Sequence, residues 1–238
     1  NYNLFTTTNA TYDPTLHVED CTVDAAYNVV YDSHNTQNFQ KIYFGNSIVK
    51  MTVANKPFYS TKAKDAHTQQ LIRLDNNVFY AETPLQNYLI NCGDRSQAFQ
   101  TTRLQVEVTN NTIYNIYQPN IMIRAYVLAG LTVTKNVGYY TGVTAKNYLT
   151  GVYDTAGFTA DKAEVTYNYL YTAPVSDTNF WSAKHTGSYT PANNQMGDGV
   201  EAPFSSMDAA KGYFPVDASV VKTGAGATYD TKAWFKTE

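Results

Sequence analysis

The sequence predicts an all-β protein, an antiparallel β-sandwich of jelly-roll type with long loops and little helix. Three observations predict it. Leu104, Val106 and Val108 alternate with Arg103, Gln105, Glu107 and Thr109, the period of a strand with one buried and one wet face. Asn and Gly clusters cut the apolar runs into pieces of strand length. Tyrosine supplies 21 residues while charged residues make up only 16% of the chain. Thr and Tyr fit a pleated, half-buried surface, so this bias also points to β structure, in a chain kept soluble by neutral polar groups.

Residues 1–25 are polar and Thr-rich, with Pro14 as a breaker, and read as an extended N-terminal arm or short edge strand. Residues 26–238 read as one β domain, since the length is large for one sandwich but short for two full α/β domains. Within it, β-branched and aromatic residues cluster at 27–31 and 41–53, where Gly45-Asn46 has the chemistry of a hairpin turn. Lys62–Leu74 is the best helix candidate, although it lacks an apolar stripe and reads equally as a loop. Leu71–Leu74, Asp75-Asn76-Asn77 and Val78–Tyr80 form a strand, a turn and a strand.

From Leu104 to Val137 four strands are expected, separated by Asn110-Asn111, Pro119-Asn120 and Gly130 and joined by short turns. Beyond Gly138, glycines space out short pieces before a strand from Val165 to Tyr171, in which Val165, Tyr167, Tyr169 and Tyr171 share one face. Residues 174–238 are loop-rich and end in the aromatic segment Ala233-Trp234-Phe235, a closing strand or one given to a neighbouring subunit. No repeat of fixed period stands out.

Motifs that carry chemistry are few. His17-Val18-Glu19-Asp20-Cys21 has metal-capable residues but lacks the second half of a zinc signature, so a polar lead into a strand is the stronger reading. Gly45-Asn46-Ser47 is not a hydrolase elbow, and no phosphate-binding or dinucleotide fingerprint occurs. The carboxylates Asp94, Glu107, Glu164 and Asp198 are too scattered to define a glycosidase pair. Gly197-Asp198-Gly199 offers one carboxylate where a calcium loop alternates several. Cys21 and Cys92 either pair across a long loop or are two buried thiols, the latter favoured because disulfide frameworks carry more cysteines. The triplets at Asn9 and Asn110 carry little weight as glycosylation signals in so Asn- and Thr-rich a chain. No catalytic residue, cofactor or metal is expected.

With a net charge of −3 and four arginines, the chain lacks the electrostatic footprint of a nucleic-acid binder. A nucleic-acid partner is expected only through a basic arm outside this sequence. No apolar run approaches the ~18 residues of a membrane-spanning helix.

The leading expectation is a self-assembling structural protein, a virion coat subunit or accessory coat protein, with copies of itself as partners and a virion, extracellular or cell-surface location. The rival is a secreted or surface carbohydrate-binding module, and a filament or pilus subunit is a third reading. The candidate contact surface is Tyr167, Tyr169, Tyr171, Trp181, Trp234 and Phe235. Packed core is the favoured reading of the tyrosine stripe, with a contact surface for protein or sugar as its alternative.

Overall fold

The computed structural model describes residues 3–5, 15–25, 28–32, 39–52, 58–60, 71–86, 88–92, 104–117, 123–125, 128–140, 148–152, 162–172, 179–181, 192–197 and 202–229. Their strands, numbered in chain order, form three sheets. Sheet A holds β1 (Asn3–Phe5), β4 (Asn28–Asp32), β7 (Phe58–Ser60), β10 (Ile90–Cys92), β13 (Ile123–Ala125), β16 (Tyr148–Val152) and β19 (Asn179–Trp181). Sheet B holds β2 (Thr15–Glu19), β5 (Lys41–Gly45), β8 (Leu71–Asp75), β11 (Leu104–Thr109), β14 (Leu128–Thr134) and β17 (Ala163–Thr166). Sheet C holds β3 (Thr22–Ala25), β6 (Ile48–Met51), β9 (Val78–Gln86), β12 (Thr112–Tyr117), β15 (Val137–Tyr140), β18 (Tyr169–Thr172) and β20 (Gln195–Met196).

Consecutive strands lie in different sheets, and each strand pairs in parallel with its counterpart one turn of chain later, as in Val18↔Phe44, Phe44↔Leu74 and Leu74↔Val108. The architecture is a three-sided parallel β-helix. The expected antiparallel jelly-roll sandwich is therefore overturned, and so are the hairpins at Gly45-Asn46 and Asp75–Asn77.

The backbone supplies the reason. A two-residue hairpin of type I′ needs positive φ at both central residues. Here a single residue at each B-to-C junction takes that conformation: Asp20, Asn46, Asn76, Asn110, Lys135, Tyr167 and Asn193, with φ between 47° and 57°. One left-handed residue turns the chain through a corner onto the next sheet, and the strand direction is kept. Asn and Asp tolerate this conformation best among residues with a side chain, and they fill five of the seven corners.

The residue after each corner points into the core. Ser47 N donates to Asn77 Oδ1 at 2.9 Å, Asn77 N to Asn111 Oδ1 at 2.9 Å, and Asn111 N to Asn136 Oδ1 at 3.0 Å. Asn136 N continues to Asn168 Oδ1 at 2.9 Å and Asn168 N to Asn194 Oδ1 at 2.8 Å. Each Nδ2 also donates to a strand carbonyl of the preceding coil, for example Asn136 to Val108 O and Asn168 to Val133 O, both at 2.8 Å. Asn77, Asn111, Asn136 and Asn168 are fully buried, and this ladder satisfies both ends of each amide. Losing one rung strands donors and acceptors at roughly 1–3 kcal/mol for each group.

The partners in this ladder are 30, 34, 25, 32 and 26 residues apart. The coils thus repeat without a fixed period. Around the ladder, inward rows fill the core: Val18, Phe44, Leu74, Val108, Val133 and Val165 from sheet B, and Val49, Phe79, Ile113 and Leu170 from sheet C.

Residues in the N-terminal segment, at β2 and β3, pair with β5 and β6 as part of the first described coil. Of the helix candidate Lys62–Leu74, the described end is the strand β8, and residues 62–70 lie outside the described residues. The expected strand Val165–Tyr171 is broken at its centre, because Tyr167 is a corner: Val165 and Asn168 face the core while Tyr169 and Tyr171 face outward.

Residues 202–229 form an irregular strap over the exterior of sheet C. Its start is tied by the antiparallel bridges Phe204↔Val216 and Asp208↔Tyr213. It then turns at Asp217, whose carboxylate accepts from Ser219 N at 2.7 Å. The return run crosses the coils in reverse order. Lys222 N meets Gln195 Oε1, Gly226 N meets Lys135 O, Ala227 N meets Thr112 Oγ1 and Thr228 N meets Asn76 Oδ1. Gly212, at φ +66, lies where a Cβ would fall 2.7 Å from Tyr80 and 2.8 Å from Ile48, so the chain passes there only as glycine.

Candidate functional site

Two exteriors of the β-helix are well described, and they differ in chemistry. On sheet C the outward residues Tyr80, Tyr114, Tyr139 and Tyr171 stand at successive coils, in register through β9, β12, β15 and β18. Three of the rings form a stacked column, Tyr114 and Tyr139 with centroids 5.5 Å apart and Tyr139 and Tyr171 at 4.9 Å, while Tyr80 packs tilted against Phe214 at 5.7 Å. The strap closes over this column with Phe214, stacked on Tyr114 at 4.2 Å, and Phe204, edge-on to Tyr139 at 5.5 Å. Tyr229 completes the cover, accepting from Phe214 N at 2.8 Å and donating to Gly212 O at 2.9 Å. Burial raises the pKa of Tyr80, Tyr139 and Tyr229 above the ordinary phenol value, because desolvation disfavours the phenolate.

On sheet B the outward residues are polar. One row runs His17, Tyr43, Arg73, Glu107, Thr132, Glu164, and the row beside it runs Glu19, Gly45, Asp75, Thr109, Thr134, Thr166. Several of these side chains are partnered. Arg73 is bonded to Glu107, which raises its pKa further, and its guanidinium lies 5.6 Å from the Tyr43 ring centroid. Thr109 Oγ1 and Asn110 Nδ2 donate to Asp75, and Thr166 Oγ1 lies 3.3 Å from Glu164 Oε1.

The sequence-derived candidates scatter over this frame. Tyr169 and Tyr171 are buried under the strap, whereas Tyr167 is 44% exposed at its corner. Trp181 closes β19 on sheet A, paired with Thr150, and its side chain is outside the described residues, as are Trp234 and Phe235. Tyr80, Tyr114 and Tyr139 extend the aromatic row. A stripe along one strand does not show them, because the aromatic row runs across strands.

Glu107 and Glu164 share a row with Thr132 between them, about 10 Å apart along the sheet at the usual strand spacing. Asp94 and Asp198 lie outside the described residues. His17 and Glu19 form an exposed pair at 3.4 Å, and Cys21 is a free, half-buried thiol donating to Glu19 O. Among the described residues no group of three or more His, Cys, Asp or Glu is placed to hold a metal ion. Asn110, in the second glycosylation triplet, is a corner residue whose Thr112 is fully buried.

Comparison with known proteins gives no matching family model, no similar curated protein and no similar solved structure. The fold and its surfaces define the class, a three-sided parallel β-helix with an internal asparagine ladder and one strapped face.

Proposed function

We propose that this chain is a non-catalytic structural module of a virion or cell-surface assembly, a stiff rod that associates with copies of itself. The observation that carries this reading is the side-chain ladder from Ser47 to Asn194, which joins six successive coils inside three parallel sheets. A rod whose every coil is hydrogen-bonded to the next resists bending, and such solenoids serve as extended scaffolds. The sparse charge, 16% of residues with a net −3, lets copies approach side by side with little repulsion. The jelly-roll fold falls with the antiparallel sandwich, and the form proposed is a rod-like spike, fibre or surface-layer element.

The test is size-exclusion chromatography with light scattering over a range of concentrations, followed by negative-stain electron microscopy. Rods whose mass rises with concentration are expected. A monomer at every concentration would sink the reading.

A further inference from the structure

The corners between sheets B and C ask for one property, a backbone that accepts positive φ, and Asn and Asp meet it at least strain. Tyr167 occupies such a corner at φ 57°, where its bulky side chain makes the conformation costly. The fold recovers only part of that cost in burial, since the residue is 44% exposed, among the most exposed large hydrophobic side chains described. Strain kept at a position where the scaffold prefers asparagine points to a use for the ring outside the scaffold.

The surroundings state the chemistry of that use. In the same coil Thr166 and Glu164 face outward from sheet B, and one coil earlier Thr134 stands in register with Thr166 while Lys135 holds the corner. One coil later the corner is Asn193, also exposed. By register the exposed corner thus neighbours two threonines and a carboxylate on the outward face and an asparagine at the next corner, with successive coils about 4.8 Å apart. The Lys135 and Glu164 charges offset each other, so the patch attracts neither a polyanion nor a strongly basic chain. The strand amides are engaged in the sheet, so recognition falls to side chains. A ring that stacks and neutral groups that trade hydrogen bonds with hydroxyls fit a pyranose, with its apolar face and hydroxyl rim.

We infer that Tyr167, with Thr134, Glu164, Thr166 and Asn193, binds an uncharged glycan chain on the face that the strap leaves bare. This does not rest on self-association, because a monomeric rod presents the same patch.

The experiment is affinity electrophoresis of the full chain through gels containing hydroxyethyl cellulose, galactomannan, glucomannan, a soluble starch glucan or alginate, with thermal melts run in parallel. At least one neutral polymer slows the protein, and added salt does not reverse the effect. Tyr167→Asn weakens that retardation at least roughly tenfold, as loss of a central aromatic anchor does. The same variant raises the melting midpoint, because asparagine relieves the corner. Tyr167→Phe keeps most of the retardation, and His17→Ala, at the far end of the face, keeps all of it. The inference is overturned by retardation in alginate alone, by no retardation in any neutral polymer, or by unchanged retardation in Tyr167→Asn. A lower melting midpoint in that variant also overturns it, because the tyrosine would then serve the fold.

Discussion

Sheets B and C are built from neighbouring segments of the same coils, with the same inward apolar rows, yet their exteriors have opposite fates. Sheet C carries Tyr80, Tyr114, Tyr139 and Tyr171 outward and is covered by the chain's own residues 202–229. Sheet B carries Arg73, Glu107, Thr132 and Glu164 outward, and these remain exposed or half-buried. Four phenol rings in register, three of them stacked, would if left wet be an apolar patch inviting association, and the strap converts that liability into a second core. The polar rows of sheet B need no such cover, which leaves that face to the solvent or a partner.

The largest test of this contrast is Phe214→Ala. Phe214 is fully buried between the strap and the tyrosine column, and its truncation is expected to cost about 3–5 kcal/mol, read as a lower urea midpoint. A loss no larger than that of a surface substitution would mean that the strap is an ornament on an independently stable helix.

Alkaline pH probes the same contact more gently. Burial holds the Tyr229 phenol above its ordinary pKa of 10, only partly countered by donation from Phe214 N. The folded state therefore keeps its proton where the unfolded chain begins to lose one. Stability from this group is intact below pH 10 and is lost as the pH rises toward the folded-state value. Tyr229→Phe should flatten the fall of the melting midpoint above pH 10, while leaving the salt dependence near neutral pH unchanged.

The smallest effect belongs to sheet B. Glu107→Gln breaks the pair with Arg73, whose side chain is 48% exposed, and should cost less than about 1 kcal/mol in a manner screened by salt. Destabilisation there as large as that of Phe214→Ala would erase the distinction between the two faces.

Much of the strand content was legible. The alternation of Leu104, Val106 and Val108 is the inward face of β11, and Asn110-Asn111 does bend the chain. A period of two, however, is the same in parallel and antiparallel strands, so it could not say which neighbour β11 would take. The local turn chemistry favours hairpins, but β11 pairs with β8 and β14, each about one coil away.

The repeat was also present and hidden. Ile72-Arg73-Leu74-Asp75-Asn76-Asn77-Val78, Val106-Glu107-Val108-Thr109-Asn110-Asn111-Thr112 and Leu131-Thr132-Val133-Thr134-Lys135-Asn136-Val137 occupy equivalent places in successive coils. Each shows two inward apolar residues, a corner and a buried asparagine. They do not show as a fixed period because the spacing varies from 25 to 34 residues. Of the proposed site, Tyr167 was singled out from the sequence as one of three tyrosines. That it alone of the three is exposed follows from the corner at its own backbone.

By itself, then, the sequence determined the local geometry: which residues alternate into strands and which Asx residues turn the chain, because both depend on sterics within a few bonds. Pairing and exposure were decided by the tertiary structure. A strand's partner lies a coil away, and the strap that buries Tyr80 through Tyr171 reaches back 115 residues to Thr112 and 152 to Asn76. Burial depends on what arrives from that distance, and no local pattern records it.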